Sequence, residues 1–243
     1  MMERINEYGQ PVGASLEGWG GAAHPGHKAM LGTYAKLVPL DPVTHTQDLY
    51  SAYREDPKAA IWTYMANGPY NTASGLQNWI SQVSGSDEQP FFAVVDQNDN
   101  TAKGVASFLR IDPLQGVMEI GSITFAPGLQ RTRVATEAIF LMMQRALGEL
   151  GYRRLEWKCD ALNAPSRRAA ERFGFTYDGL FEQAVIYKGR NRDTAWYSLL
   201  DKDWAPVERG FLAWLAKENF DGAGQQCQRL ADFINAERQA AAG

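Results

Sequence analysis

The chain has 243 residues, a net charge of -4 at neutral pH and 21% charged side chains. These values exclude an intrinsically disordered chain and give none of the basic excess that marks a nucleic-acid binder. Hydrophobic residues make up 45%, enough apolar surface for one sizeable core. Two cysteines, Cys159 and Cys227, stand in unrelated contexts, so no zinc site or disulfide framework is expected. No stretch reaches transmembrane length, and Met1–Glu7 carries no apolar leader run. The expected location is therefore the cytoplasm, with no membrane partner and no metal.

In chain order, residues 9–33 are rich in Gly, Pro and Ala without a sustained period. They read as an extended arm (1–33) in which Trp19 anchors to the rest. A short strand is expected over Tyr34–Leu40 and is stopped by Asp41-Pro42. Helices are expected over Val43–Tyr53 and Ser74–Val83. The aromatic residues Trp62, Tyr64, Tyr70 and Trp79 fit either a pocket lining or a core stripe. Three strands follow, at Phe91–Val95, Gly104–Arg110 and Val117–Phe125, joined by short loops as in an antiparallel meander. Strict alternation in the third would put Val117, Glu119, Gly121, Ile123 and Phe125 on one face.

The next helix, Thr132 to Leu150, has a continuous apolar stripe from Ala135 to Leu150 and ends at Gly151. Arg154–Asp160 alternates as a strand, with Cys159 on its core side. Ala164–Arg172 reads as a helix, and Phe173-Gly174-Phe175 leads into another strand. Two more strands flank the turn Lys188–Asp193. The tail, 204–243, carries two helical patterns. Strand, helix, strand between 117 and 160 implies a parallel crossover inside a mixed sheet.

Three features carry chemistry. The turn Gln130–Ala135 opens a helix directly after a strand, and unpaired amides at a helix N-terminus suit a pyrophosphate. Asn163-Ala164-Pro165-Ser166 has an N-cap asparagine with proline in the first turn. Arg172-Phe173-Gly174-Phe175 closes that helix with a glycine. His24 and His27 lie in the arm without a carboxylate partner nearby in sequence, which argues against a metal site.

In this order and on these elements, the three features resemble the GNAT acetyltransferase superfamily over about residues 34–200. Asp193 and the Asn163-x-x-Ser166 pattern resemble its RimJ/RimL-like branch. The resemblance implies an α/β (α+β) fold: a mixed, mostly antiparallel central sheet of about seven strands, flanking helices and a splayed parallel strand pair. The domain would span 34–203, followed by a helical extension at 204–243. It implies acetyl-CoA as co-substrate and a primary amine as acceptor, either a protein N-terminus or a small molecule. Backbone groups of Ile123, Thr124 and Phe125 would pair with the pantetheine arm. Gln130, Arg131, Thr132, Arg133, Val134 and Ala135 would form the pyrophosphate turn. Asn163 would hydrogen-bond the pantetheine, and Arg167 or Arg168 would reach the 3′-phosphate or remain solvated helix charges.

Two positions depart from the family pattern. Arg133 replaces the first glycine of the turn, and its guanidinium is a candidate to compensate by approaching a CoA phosphate. Ala170 stands where many members carry a general-acid tyrosine, so Ser166, one turn earlier, becomes the candidate donor to the leaving thiolate. Glu119 is the candidate general base. Two further readings stay open: a non-catalytic acyl-CoA-binding module, and an interaction protein whose arm and tail dock a partner. The long arm and tail also fit a homodimer.

Overall fold

The protein is described by a computed structural model over residues 4–242; Met1–Glu3 of the arm and Gly243 of the tail lie outside the described residues. Near the N-terminus β1 (Arg4–Ile5) and β2 (Pro11–Val12) form a small exposed hairpin. The arm then passes over the turn between two later strands. There Trp19 donates its indole N–H to the Leu114 carbonyl at 2.8 Å. A Cβ on Gly116 would come within 2.6 Å of the Trp19 ring, and Gly116 has φ +65°, so this corner accepts only glycine.

The main sheet contains β3 (Met30–Leu31), β4 (Ala35–Pro39), β5 (Phe91–Asp96), β6 (Thr101–Asp112), β7 (Val117–Phe125), β8 (Arg154–Asp160), β9 (Thr176–Tyr187) and β10 (Arg190–Leu200). Its order is β3-β4-β5-β6-β7-β8-β10-β9, eight strands in place of about seven. The additional strand is the end of the arm, Met30–Leu31, which pairs with Leu37 and Lys36. After Phe175 the chain forms one long strand before the turn, not two. A bulge around Gln183, with φ +52°, bends β9 without ending it. Every neighbouring pair is antiparallel except β7 and β8.

Helices cover both faces. On one face α1 (Thr46–Tyr53) and α2 (Ala73–Val83) bury Leu49, Tyr53, Leu76 and Ile80 against Ala93, Val95 and Val105. On the other, α3 (Arg133–Met143), α4 (Ala164–Arg172), α5 (Trp204–Leu215) and α6 (Leu230–Ala242) pack on Phe92, Phe108, Met118, Ile120 and Leu155. The helix expected to run unbroken to Leu150 changes at Gln144 into a wider π-turn, where the Leu150 amide bonds the Arg145 carbonyl. Gly151, at φ +69°, then turns the chain into β8. No helix among the described residues is long and apolar enough to cross a membrane.

Candidate active site

The crossover β7–α3–β8 sets the site. Parallel pairing of β7 with β8 covers only Val117 with Arg154, Met118 with Leu155 and Glu119 with Glu156. Beyond that pair β7 stays with β6 while β8 turns to β10, so the two strands separate toward their C-terminal ends. The N-termini of α3 and α4 follow those two ends. Two helix starts therefore border a gap between parallel strands, a place that concentrates unpaired amides and positive partial charge.

The single-face expectation for β7 fails at Ser122. Ser107 pairs with Gly121, whereas Val105 pairs with Thr124, so β7 holds one extra residue and bulges. Ser122 has φ +50°. The extra residue reverses the alternation: Ile123 and Phe125 pack with the α3-side core, while Glu119 and Gly121 face the α1–α2 side. The carbonyls of Thr124 and Phe125 accept from the Tyr53 hydroxyl at 3.2 Å and the Gln130 amide at 2.9 Å. Gln130 thus closes the turn by bonding back to the strand end.

Thr132 is the N-cap of α3: its Oγ1 accepts from the Ala135 amide at 3.1 Å. The Thr132 amide is itself bonded to the Leu129 carbonyl. Of the six residues expected to form the cradle, Arg131, Arg133 and Val134 keep amides without a protein acceptor among the described residues. The Arg133 guanidinium does not compensate for the missing glycine. It lies 3.3 Å from the centroid of the Phe220 ring and 4.5 Å from that of Tyr34, clamped between the C-terminal segment and the start of β4. Arg131, exposed and at φ +63°, is the cation left at the turn.

Asn163 caps α4 by accepting the Ser166 amide at 3.2 Å, and its amide nitrogen has no protein partner among the described residues. Ser166 Oγ accepts the Trp157 indole N–H at 3.0 Å, and its own hydroxyl also reaches the Cys159 sulfur. Cys159 is buried, and desolvation raises its thiol above the ordinary value. Ala170 is fully buried. Arg167 is taken by the Tyr197 hydroxyl at 3.1 Å and the Ala161 carbonyl, whereas Arg168 is exposed.

Glu119 sits where the parallel pairing ends and is only 3% exposed. Arg110 Nη1 is 2.6 Å from its carboxylate and Lys158 Nζ 3.2 Å. Lys158 also binds Glu156 at 2.6 Å and lies over the Trp196 ring, so one buried ammonium holds two carboxylates together at the vertex of the gap. Burial raises the Glu119 carboxyl above the ordinary value, and the two cations oppose that shift without cancelling it.

The sequence reading missed Arg110, Lys158 and Gln89, which bonds both Ser107 and Ser122. Their roles depend on register, which no local motif records. Of the four aromatic residues left open, Trp62 is buried in an aromatic chain, edge-on to Tyr53 and to Tyr70, and Tyr70 in turn meets Trp79 at a tilt. Tyr64 instead crosses the gap to the Leu162 carbonyl at 3.1 Å. The basic turn reaches back as well: Lys188 Nζ bonds the Trp62 carbonyl at 2.8 Å, and Tyr187 donates to buried Asp160 at 2.8 Å. His27 does meet a carboxylate, Asp87, at 3.1 Å. Among the described residues no group of His, Cys, Asp and Glu is arranged to hold a metal ion.

An eight-stranded mixed sheet with one splayed parallel pair and a helix start at each strand end defines an acetyltransferase of the GNAT class. The acetyltransferase (GNAT) domain family matches residues 36–176, and the chain belongs to that family. It is similar to a GCN5-related N-acetyltransferase from Brucella melitensis, with 44% identity and a TM-score of 0.88 over 90% of this chain and 100% of that one. A probable acetyltransferase of the GNAT family from Chromobacterium violaceum is 36% identical with a TM-score of 0.74, covering 80% of this chain and 97% of the other. The fold is shared at 23% identity and a TM-score of 0.61 by the microcin C7 self-immunity acetyltransferase MccE, whose structure holds acetyl-CoA and AMP, over 70% of this chain and 93% of that one.

Proposed function

We propose that the protein transfers the acetyl group of acetyl-CoA directly to a primary amine, as a cytoplasmic enzyme of the RimJ/RimL-like branch. The observation that carries this reading is the parting of β7 and β8 beyond Glu119 and Glu156, beside the free amides of Arg133 and Val134. Those amides and the exposed Arg131 favour the pyrophosphate. The open edge of β7 offers backbone groups to the pantetheine, and the Asn163 amide nitrogen adds a donor beside it. Arg168, exposed on α4 and without a salt-bridge partner among the described residues, is the cation for the 3′-phosphate.

The amine nitrogen attacks the thioester carbon, the C–N bond forms and the C–S bond breaks. Glu119 accepts the proton that the amine loses, and Ser166 donates a hydrogen bond to the departing thiolate. In the net reaction one proton moves from nitrogen to sulfur. Burial raises the Cys159 thiol, which favours direct transfer over a covalent intermediate on that cysteine.

The non-catalytic CoA-binding reading is favoured by one feature, the buried Ala170 at the usual tyrosine position. Calorimetry with CoA, paired with transfer from acetyl-CoA to amines and N-terminal peptides, separates the two. Binding with turnover is expected; binding without turnover makes the protein a binder only, and no binding removes both. Ser166→Ala is expected to lower kcat on the order of 10²-fold, the low end for a positioned proton donor, with CoA affinity little changed. An unchanged kcat takes Ser166 out of the mechanism.

A further inference from the structure

A concavity of about 380 Å³ lies between the end of α2 and the outer part of β6, on the face toward which Glu119 points. Val83, Phe91 and Leu109 form its apolar wall, Gln89 is its half-buried polar group, and Arg110 and Glu88 are exposed along it. Two non-glycine residues with left-handed backbone meet here. Arg110 has φ +49° at a bulge of β6, where the three-residue step from Leu109 to Asp112 opposes the two-residue step from Glu119 to Val117. Ser122 has φ +50° at the bulge of β7. Gln89 joins the concavity to the second bulge by donating to Ser122 Oγ at 2.7 Å and to Ser107 Oγ at 2.9 Å. Such backbone is costly for residues with a Cβ and persists where the surrounding structure demands an aimed side chain.

Arg110 is half exposed, 57% by side chain, although its partner Glu119 is buried. A guanidinium carries five N–H donors in a planar fork. Only Nη1 bonds a protein group here; Nε and Nη2 have no protein acceptor among the described residues. The free side of the fork belongs to a surface that lines the concavity, and it suits a planar or tetrahedral oxyanion.

We propose that this concavity receives the acceptor and that Arg110 binds an anionic group on it, so that the substrate is a small amine bearing a carboxylate or a phosphate. The inference rests on the acetyl-transfer reading and adds a substrate class to it. Nη1 stays on Glu119 while Nε and Nη2 meet the anion, so one guanidinium spans the buried carboxylate and the acceptor.

The test compares amino acids with their decarboxylated amines, and phosphoethanolamine with ethanolamine, in acetyl transfer by the full chain. The anionic member of at least one kind of pair is expected to show kcat/KM about 10- to 100-fold higher, the range of a charge-assisted hydrogen-bonded pair. Arg110→Gln is expected to reduce that ratio to near 1, and Arg110→Lys to keep part of it. Which pair shows the preference separates carboxylate from phosphate. Equal kcat/KM within every pair, or a ratio untouched by Arg110→Gln, overturns the inference and leaves acetyl transfer standing. If neither these amines nor N-terminal peptides are turned over, the acetyl-transfer reading fails. Calorimetry of the same anionic amines on CoA-loaded protein then decides the anion site: binding weakened about 10-fold or more by Arg110→Gln supports it, and no binding overturns it.

Discussion

Glu137→Ala is expected to destabilise the protein by about 3–5 kcal/mol, read as a lower midpoint in urea unfolding with an unchanged slope. The Glu137 carboxylate, 4% exposed, accepts three consecutive backbone amides at the entry to β4: Thr33 at 2.9 Å, Tyr34 at 2.6 Å and Ala35 at 2.6 Å. Removing it takes the acceptor from three donors, of which Ala35 is buried and Tyr34 half-buried while Thr33 is exposed, and each donor that water does not reach costs about 1–3 kcal/mol. Glu137→Gln is expected to fare little better, since its NH₂ would turn a donor toward donors. A loss below about 1 kcal/mol for the alanine variant would mean that other groups or water satisfy those amides. The link fastens α3 to the edge of the sheet one turn beyond the proposed pyrophosphate amides. Its loss is therefore expected to weaken CoA binding along with stability.

Glu137 also shows which parts of the molecule a linear reading reaches. The elements whose pattern is local were legible: the alternation at Arg154–Asp160, the capped helix Ala164–Arg172 and the parallel crossover between 117 and 160. The N-cap role of Asn163 follows from its type and position before Pro165. What stayed hidden depends on partners far along the chain. The three amides held by Glu137 lie about a hundred residues upstream, and Phe220, which fixes Arg133, comes from a tail whose docking no motif announces. Bulges are usually legible through glycine. Those at Arg110 and Ser122 use left-handed non-glycine residues, so neither the reversal of faces in β7 nor the aim of Arg110 had a local signal.

Glu119→Gln carries the largest expected effect on turnover, a fall in kcat of about 10²- to 10⁴-fold, the range for a positioned general base. The pH dependence makes the assignment specific. Glu119 faces Arg110 from β6 and Lys158 from β8, and Lys158 also faces Glu156. Burial outweighs both cations and raises its proton affinity above the ordinary glutamate value. A base must be ionised, so the rising limb of kcat is expected at higher pH than an exposed glutamate would give, and Glu119→Gln should flatten it. Stability follows the opposite slope. With its native value raised, the folded state binds the proton more tightly than the unfolded chain. The Glu119 contribution is therefore full below the unfolded value and declines as pH rises through the native one. Glu119→Gln should remove that decline. Taking away Arg110 removes one of the two opposing cations, so Arg110→Gln should move the limb further upward. If the limb of Arg110→Gln coincides with that of the unaltered protein while Glu119→Gln still abolishes turnover, Glu119 holds the site together without taking the proton.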